Sequence, residues 1–258
     1  MTISLLHLNI NADNYWSNLI DFIKTHDFDV MQFQEVCGKN TISININTQF
    51  DGFKLLQEAL ADKYLGELAI SQKYTSSPDA YMGNATFYKK EFQLLSKDVL
   101  ALYTRDEPFP SDQNHFETVG RNLLHLKLQI ADKSVSFLNT HFAWAKTTVE
   151  EPHQTQQGEI LINYLKSVEK PFILSGDFNM DPKQPLINKI NHLARNLSVE
   201  NNTATTLNPR THRAKVLFPP GAVVDYIYIT HDLKFKKFKI FKDLDLSDHL
   251  ALTAEIEI

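Results

Sequence analysis

Closely spaced strand-like segments constrain the fold of this chain more than any other feature. In each segment, apolar residues either alternate with polar ones or form a short continuous run, as is typical of β-strands. The segments span residues 3–10, 28–34, 64–71, 83–89, 92–103, 120–130, 134–142, 171–177, 223–230, 234–241 and 250–258. Many of them lie too close together to be joined by a crossover helix. We therefore predict that several of these strands pair antiparallel.

Apolar residues recur at helical spacing in the longer intervals between the strands. One helix is predicted to follow a cap at Asp13 or Asn14, and others lie near residues 49–62, 153–167 and 184–193. Many buried strands with few helices predict an α/β protein in which two packed sheets are flanked by helices. A chain of 258 residues can bury a large core, and we predict a single domain over residues 1–258.

The net charge argues against a protein that binds tightly along a nucleic-acid duplex. The net charge is −5, whereas proteins that grip long duplex nucleic acid usually have a basic surface. Lysines that alternate with apolar residues over 234–242 predict a solvated edge strand. No segment approaches 18 uninterrupted apolar residues, so no membrane span is expected.

The single cysteine, Cys37, cannot form an intramolecular disulfide. It is interpreted as a free structural cysteine in preference to a catalytic thiol, although it lies two residues after Glu35. One cysteine suits a reducing compartment, and a cytoplasmic location is expected. Residues 1–11 read as a first strand and not as a signal peptide, while a leader already removed stays open as an alternative.

Polar residues stand at the strand ends of two similar strand–helix–strand units. The first unit runs from LHLNIN through a helix to DVMQFQEV, and the second from FLNTHF through a helix to PFILSGDFN. If the two units pack side by side, one edge collects the polar side chains Asn9, Glu35, His141, Asp177 and Asn179. Strand carboxyl ends are where α/β sheets build their sites.

The stretch SGDFNMDP follows the apolar run 171–174. In an extended segment, Asp177 and Asn179 would project to the same side; a turn is the alternative, because Asp and Asn are common turn residues. Further along, VVDYIYIT contains Asp225, a costly charge in an apolar strand unless it is paired or functional. LSDHLALT then places Asp248 and His249 just before the last strand.

These segments, taken in order, resemble the endonuclease/exonuclease/phosphatase superfamily of divalent-metal phosphohydrolases, which includes DNase I. The matching stretches are LNIN at 8–11, QEV at 34–36, NTHF at 139–142, GDFN at 176–179, VDYI at 224–227 and SDH at 247–249. The resemblance covers essentially the whole chain and implies the DNase I-like four-layer α/β sandwich. The stretch GRNLLHLKL and the acidic, aromatic loop 104–119 look most like the 5′-tyrosyl-DNA phosphodiesterase branch.

The resemblance implies a site for Mg²⁺, with Mn²⁺ as an alternative, in which Glu35 is the principal ligand and Asn9 and Asp248 assist. Asp177 would orient or deprotonate the attacking water, and Asn179 would donate its amide to a phosphate oxygen. His141 and His249 would donate to phosphate oxygens, and Asp225 would fix the tautomer of His249.

Four further side chains are candidates for substrate contact. Arg121 could reach the phosphate, with structural pairing as the alternative. Trp144 could stack on a base or an aromatic leaving group, or belong to the core. Arg210 and Arg213 lie in a basic loop before the Asp225 strand.

These residues predict a Mg²⁺-dependent phosphodiesterase, most directly for DNA, acting as a nuclease or on 5′-tyrosyl-blocked ends. The alternative is a phosphatase or phosphodiesterase for a lipid headgroup or a small phosphorylated molecule. A binding module without activity would be expected to lack one of the catalytic residues, and none is missing. The loops 104–119 and 39–47 would set specificity, and the sequence does not determine oligomeric state.

Overall fold

The computed structural model describes residues 1–12, 14–38, 50–76, 79–110, 116–212 and 221–258. Within these residues the chain forms two six-stranded mixed sheets that pack face to face, with helices on both outer sides. The predicted four-layer α/β sandwich is therefore confirmed.

The described strands, in chain order, are β1 (Thr2–Asn9), β2 (Val30–Gly38), β3 (Tyr64–Lys73), β4 (Tyr81–Lys89), β5 (Gln93–Tyr103), β6 (Arg121–Ile130), β7 (Lys133–His141), β8 (Phe172–Asp177), β9 (Arg195–Asn196), β10 (Asp225–Ile229), β11 (Lys234–Phe241) and β12 (Ala251–Glu257). The helices are α1 (Trp16–Thr25), α2 (Gly52–Leu60), α3 (Pro152–Leu165), α4 (Pro185–Asn191) and α5 (Leu197–Glu200), with a 3₁₀ turn at Phe116–Thr118.

The two sheets have matching topologies. Their strand orders are β11-β12-β1-β2-β4-β3 and β5-β6-β7-β8-β10-β9. The pairs β1–β2 and β7–β8 are parallel and joined by α1 and α3, while the strands beside them pair antiparallel. The two predicted strand–helix–strand units thus form the centres of the two sheets, and all four of their strands carry their polar ends to one edge.

The core has three apolar layers: one between the sheets, one under α1 and α2, and one under α3 and α4. Strand periodicity divides the residues among these layers. In β1, Ile3 and Leu5 pack between the sheets, whereas Leu6 and Leu8 pack under the helices.

The layer between the sheets changes from apolar to polar along each central strand. In β1 the inward positions Ile3 and Leu5 are followed by His7 and Asn9, which are also buried. The inward positions of β2 and β8 show the same change; they are Val30, Gln32 and Gln34, and Ile173, Ser175 and Asp177. One end of the sandwich therefore contains a buried polar layer, and burial of so many polar groups requires hydrogen-bond partners.

Several predicted boundaries differ from the structure. Helix α1 has Tyr15 as its N-cap and makes no side-chain cap, so Asn14 does not cap it as predicted; Asp13 lies outside the described residues. The short elements β9 and α5 were not predicted, because two and four residues carry too little periodicity. The lysine-rich strand β11 is an edge strand, as predicted, and its Lys236 pairs with Glu257. Among the described residues no helix is long and apolar enough to cross a membrane.

Candidate active site

The site lies at the polar edge of the two sheets, where strands from both meet. Asn9 ends β1, His141 ends β7 and Asp177 ends β8, while Asp225 begins β10 and Arg121 begins β6. The remaining members are close by: Glu35 within β2, Asn179 just after β8, and Asp248 and His249 just before β12.

Glu35 lies at a β-bulge, where the pairing of β2 with β4 is interrupted. The register of the two strands shifts between Phe33 and Val36, and Glu35 has φ 55°. This left-handed conformation is unfavourable for a residue with a Cβ, and such strain is typical of functional positions. Buried Asn139 of the other sheet donates its amide to the carbonyls of Phe33, at 3.1 Å, and Ala85, at 2.9 Å. The second sheet thus stabilises the bulge that carries Glu35.

The Asp177 carboxylate is at the centre of the site. Its Oδ2 accepts a hydrogen bond from Asn9 Nδ2 at 3.0 Å and lies 3.6 Å from His141 Nε2 and 3.7 Å from His249 Nε2. Burial raises the pKa of the Asp177 carboxyl to about 7, with the His249 charge opposing this shift. A carboxylate with this pKa can both take up and release a proton near neutral pH.

Asn179 reaches the site by a turn and not by strand alternation. Strand β8 ends at Asp177, and Asn179 has φ 53° with its backbone N–H donating to Asp177 Oδ1 over 2.9 Å. The prediction that an extended segment aligns these two side chains was therefore wrong, since the turn interpretation describes the backbone. The Asn179 amide donates to the Phe142 carbonyl at 3.1 Å and lies 3.3 Å from His141 Nε2.

Asp225 holds two histidines, one on each carboxylate oxygen. Oδ2 lies 2.8 Å from His249 Nδ1, and Oδ1 lies 3.0 Å from His7 Nε2. Burial alone would favour a neutral carboxyl, but the His249 charge and the two hydrogen bonds lower the pKa of Asp225. Burial likewise opposes charge on His249, yet the carboxylates of Asp225 and Asp177 raise its pKa well above the ordinary value. His249 is therefore an imidazolium held by Asp225.

His141 and Arg121 complete the buried face of the site. Burial, and then the Arg121 charge, lower the pKa of His141 well below its ordinary value, so His141 is neutral. Of the two site histidines, His249 is therefore charged and His141 is not. Arg121 is 4% exposed, and its Nε and Nη1 have no hydrogen-bond partner in the part of the chain that the structure describes. A buried guanidinium with free N–H groups suits an anionic ligand.

Two sets of side chains could hold a cation. Asp177, Asp225 and His249 offer ligand atoms that lie within 4.8 Å of one another. However, the hydrogen bonds from His249 and His7 already use both Asp225 oxygens.

The second set consists of Glu35 and Asp248. Burial, and then the negative charge of Asp248, raise the pKa of Glu35. Burial also opposes charge on Asp248, but the His212 ring, whose Nδ1 lies 3.5 Å from Asp248 Oδ2, and the His249 charge lower the pKa of Asp248. The negative charge of Asp248 therefore acts on the buried Glu35 carboxyl, and a divalent cation held by both groups would offset it. Carboxylate oxygens are the preferred ligands of Mg²⁺. Asn9 links this set to Asp177, because its Nδ2 donates to Asp177 Oδ2 and also lies 3.1 Å from Glu35 Oε1.

Two of the weaker sequence candidates, Trp144 and Arg210, lie on loops and not on the strands that form the cluster. Trp144 is half-buried and lies three residues after the end of β7. Arg210 donates to the Asp245 carboxylate at 2.8 Å and to the Lys242 carbonyl at 2.7 Å, contacts that hold it on a neighbouring loop. Arg213 lies outside the described residues, as do all of the loop 39–47 and residues 111–115 of the loop 104–119.

The polar layer beneath the site was not predicted from the sequence. His7, Gln32, Gln34, Asn139 and Ser175 are buried and join the sheets through hydrogen bonds. A signal was available, because these polar residues occupy the inward, period-two positions of strands that are otherwise apolar.

Comparison with known proteins identifies the family. Residues 6–249 match the model of the Endonuclease/Exonuclease/phosphatase family. No protein with a curated description matches the sequence significantly. The solved structures described below are less than 25% identical to this chain, so they bear on the fold alone.

An endonuclease/exonuclease/phosphatase from Bacteroides vulgatus is 20% identical, with a TM-score of 0.74 over 100% of this chain and 99% of that one. A mannosyl-6-phosphatase from Bacteroides thetaiotaomicron is 17% identical, with a TM-score of 0.72 over 99% and 100%. The 2′,3′-cyclic phosphatase ANGEL2 is 18% identical, with a TM-score of 0.69 over 99% and 95%.

The family match does not distinguish among the branches of the family. Assignment of this chain to the 5′-tyrosyl-DNA phosphodiesterase branch therefore stays a prediction. The match over residues 6–249, the shared fold and the buried Asp177–Asp225–His249 cluster agree with one another. The chain belongs to the endonuclease/exonuclease/phosphatase family and is a metal-dependent phosphoric ester hydrolase.

Proposed function

We propose that this protein hydrolyses a phosphodiester bond by in-line attack of water, with Asp177 as the base. The observation that carries this proposal is the position of Asp177 between Asn9, His141 and the His249 imidazolium. A carboxylate with a pKa near 7 is matched to accepting a proton at neutral pH. A base held in this way typically contributes about 10²–10⁴-fold to the rate.

His249 stabilises the negative charge that develops on the phosphate oxygens. Its Nδ1 donates to Asp225, so its Nε2–H faces Asp177 and the space where a phosphate would lie. Preorganised positive charge in a buried site is worth more than the same charge in water. Arg121 adds a second positive group with unused N–H donors.

Glu35 and Asp248, with Asn9, would hold the divalent cation. When bound there, a divalent cation supplies positive charge that offsets the charge building up around phosphorus. The Asn9 amide keeps the Glu35 and Asp177 carboxylates in a fixed relation through its two contacts.

We propose nucleic acid, contacted near a strand end, as the substrate. Trp144 lies three residues after the His141 strand and is half-buried, a suitable position for stacking on a base. The net charge of −5 disfavours tight binding along a duplex. Contact with a few nucleotides at an end requires fewer cationic groups. A 5′-tyrosyl-blocked end is the finer form of this proposal.

A small phosphorylated molecule is the second candidate substrate. It is favoured because Arg210 is already held by hydrogen bonds within this chain. Arg210 is bound to Asp245 and Lys242, so its charge is already matched by an acid of this chain. A ligand with one phosphate needs only Arg121, His249 and the cation as positive groups. A lipid headgroup presents the same chemistry.

The deciding experiment compares substrates under one set of conditions. End-labelled oligonucleotides, single-stranded, duplex and 5′-tyrosyl-blocked, are incubated beside mannose 6-phosphate, a 2′,3′-cyclic nucleotide and a phosphoinositide. Each reaction is run with Mg²⁺ and with chelator, and Asp177→Asn serves as the blank. Mg²⁺-dependent cleavage of an oligonucleotide that the blank lacks would support the nucleic-acid proposal. Turnover confined to the small esters or to the lipid would replace it with the second candidate.

A further inference from the structure

His7 is a fully buried histidine with partners on both ring nitrogens. It lies on β1, where the preceding inward residues, Ile3 and Leu5, belong to the apolar core between the sheets. Its Nδ1 lies 3.1 Å from Ser175 Oγ, and its Nε2 lies 3.0 Å from Asp225 Oδ1. A buried imidazole is costly unless both nitrogens are satisfied. The hydrogen-bond partners of His7 therefore indicate its role.

The Asp225 carboxylate needs an anchor to point at His249. The terminal torsion of an aspartate is broad, so a carboxylate held at one oxygen can turn about its Cβ–Cγ bond. The Asp225 backbone is fixed, because its N–H donates to buried Thr206 Oγ1 at 3.1 Å. Among the described residues, His7 is the hydrogen-bond partner of the second carboxylate oxygen, Oδ1. Removing that bond leaves the plane of the carboxylate free to rotate.

We infer that His7 is a positioning residue for hydrolysis, which holds Asp225 so that His249 keeps its Nε2 directed at Asp177 and the phosphate. The inference rests on the proposed function of His249. It divides the contacts of His7 by role. The Nε2 contact to Asp225 sets catalysis, whereas the Nδ1 contacts to Ser175 and, at 3.4 Å, to Gln34 Nε2 fill the polar layer between the sheets. Outer partners of this kind typically change activity by about 10–100-fold when removed.

Two polar substitutions separate these contacts. In His7→Gln the side-chain amide can take the place of Nε2 and still donate to Asp225. In His7→Asn the shorter amide takes the place of Nδ1, facing Ser175, and cannot reach Asp225. Both variants keep a polar group in the layer, so a purely structural role for His7 predicts that they behave alike.

The expected result is that His7→Asn lowers kcat about 10–100-fold with KM within twofold of wild type, while His7→Gln stays within about threefold. The matched control is His125→Asn, which removes a nearly buried histidine whose Nδ1 bonds the Tyr164 hydroxyl at 2.8 Å, away from the site. That variant should leave kcat unchanged. Equal kcat values for His7→Asn and His7→Gln would overturn the inference.

A spectroscopic measurement tests the same contact without turnover. In protein labelled with ¹⁵N-histidine, the Nδ1–H signal of His249 reports its hydrogen bond to Asp225. It should move in His7→Asn and keep its wild-type position in His7→Gln; an unmoved signal in His7→Asn would contradict the inference. The variant His249→Gln in the turnover assay distinguishes a failure of the proposed function of His249 from a failure of the inferred role of His7. If it retains activity, the proposed function of His249 fails, whereas loss of activity there with an active His7→Asn refutes only the role of His7.

Discussion

Asn9 of the first sheet donates its side-chain amide to Asp177 of the second sheet over 3.0 Å. The same nitrogen lies 3.1 Å from Glu35 Oε1. One buried amide therefore joins the acid proposed as the base to the acid proposed to hold the cation. Because these acids lie on different sheets, the site exists only when the sheets pack in register. Stability of the packing between sheets and function are thus coupled at this residue.

Asp177→Asn should retain the fold and lose about 10²–10⁴-fold in kcat. The new side chain keeps an oxygen that can accept the Asn179 backbone N–H, so the turn after β8 persists. It cannot accept a proton from water. Steady-state kinetics measures kcat, and circular dichroism checks that the variant keeps its fold.

Asp181→Asn is the control for that substitution. Asp181 Oδ1 accepts the Lys183 backbone N–H at 2.9 Å in a similar but exposed turn. This variant should turn over at the wild-type rate. Wild-type turnover in Asp177→Asn itself would remove Asp177 as the base.

The stability of the metal-free protein should fall as the pH rises through 7. The pKa of Asp177 is about 7 in the folded protein against 3.8 for the ordinary group. The folded state therefore binds this proton more tightly, and its stabilising effect is full below pH 3.8 and lost as pH rises through 7.

Asp177→Asn carries no such proton and should be more stable than wild type at pH 8, by on the order of 2–4 kcal/mol. The difference should shrink towards pH 4. Urea unfolding of both proteins with chelator, from pH 4 to pH 8, gives the comparison. A difference that stays constant over this range would show that Asp177 does not titrate with a raised pKa.

Glu35→Gln should weaken Mg²⁺ binding at least tenfold, because it removes one of the two acids proposed to hold the cation. Isothermal titration calorimetry with Mg²⁺ measures the affinity without any substrate. Glu67→Gln is the matched control, since Glu67 is paired with Lys97 at 2.8 Å on β3. An unchanged titration in Glu35→Gln would transfer the site to the Asp177, Asp225 and His249 set.

Much of the fold and site could be predicted from sequence, for a physical reason. Strand periodicity and strand-end polarity are local, so the order of residues along the chain is enough to place Asn9, His141 and Asp177 at the ends of their strands. Their position at one common edge was predicted only on the condition that the two units pack side by side. Contacts that depend on three-dimensional packing could not be predicted. The bond from His7 to Asp225 joins residues 218 positions apart, and the Glu35 bulge arises from a register shift that no local pattern encodes. The turn at Asn179 was left open as an alternative to an extended segment. The sequence does not show that Asp177, the last residue of β8, also accepts the backbone N–H of Asn179.

Asn139→Leu should disrupt the bulge that presents Glu35. Asn139 is fully buried, and its amide donates to the carbonyls of Phe33 and Ala85 beside the register shift. Leucine fills a similar volume but leaves both carbonyls without this donor, at about 1–3 kcal/mol for each. Because Glu35 follows Phe33 by two residues, we expect lower stability in urea and about tenfold weaker Mg²⁺ binding.

Thr140→Val tests whether that loss is specific to the bulge. Thr140 is the next residue of β7, is fully buried, and donates one hydrogen bond to the Asn122 carbonyl at 3.2 Å. The variant should lose about 1 kcal/mol of stability and keep the wild-type affinity for Mg²⁺. If Asn139→Leu also kept that affinity while losing stability, the bulge would hold Glu35 without help from the second sheet, and Asn139 would serve only to satisfy the carbonyls.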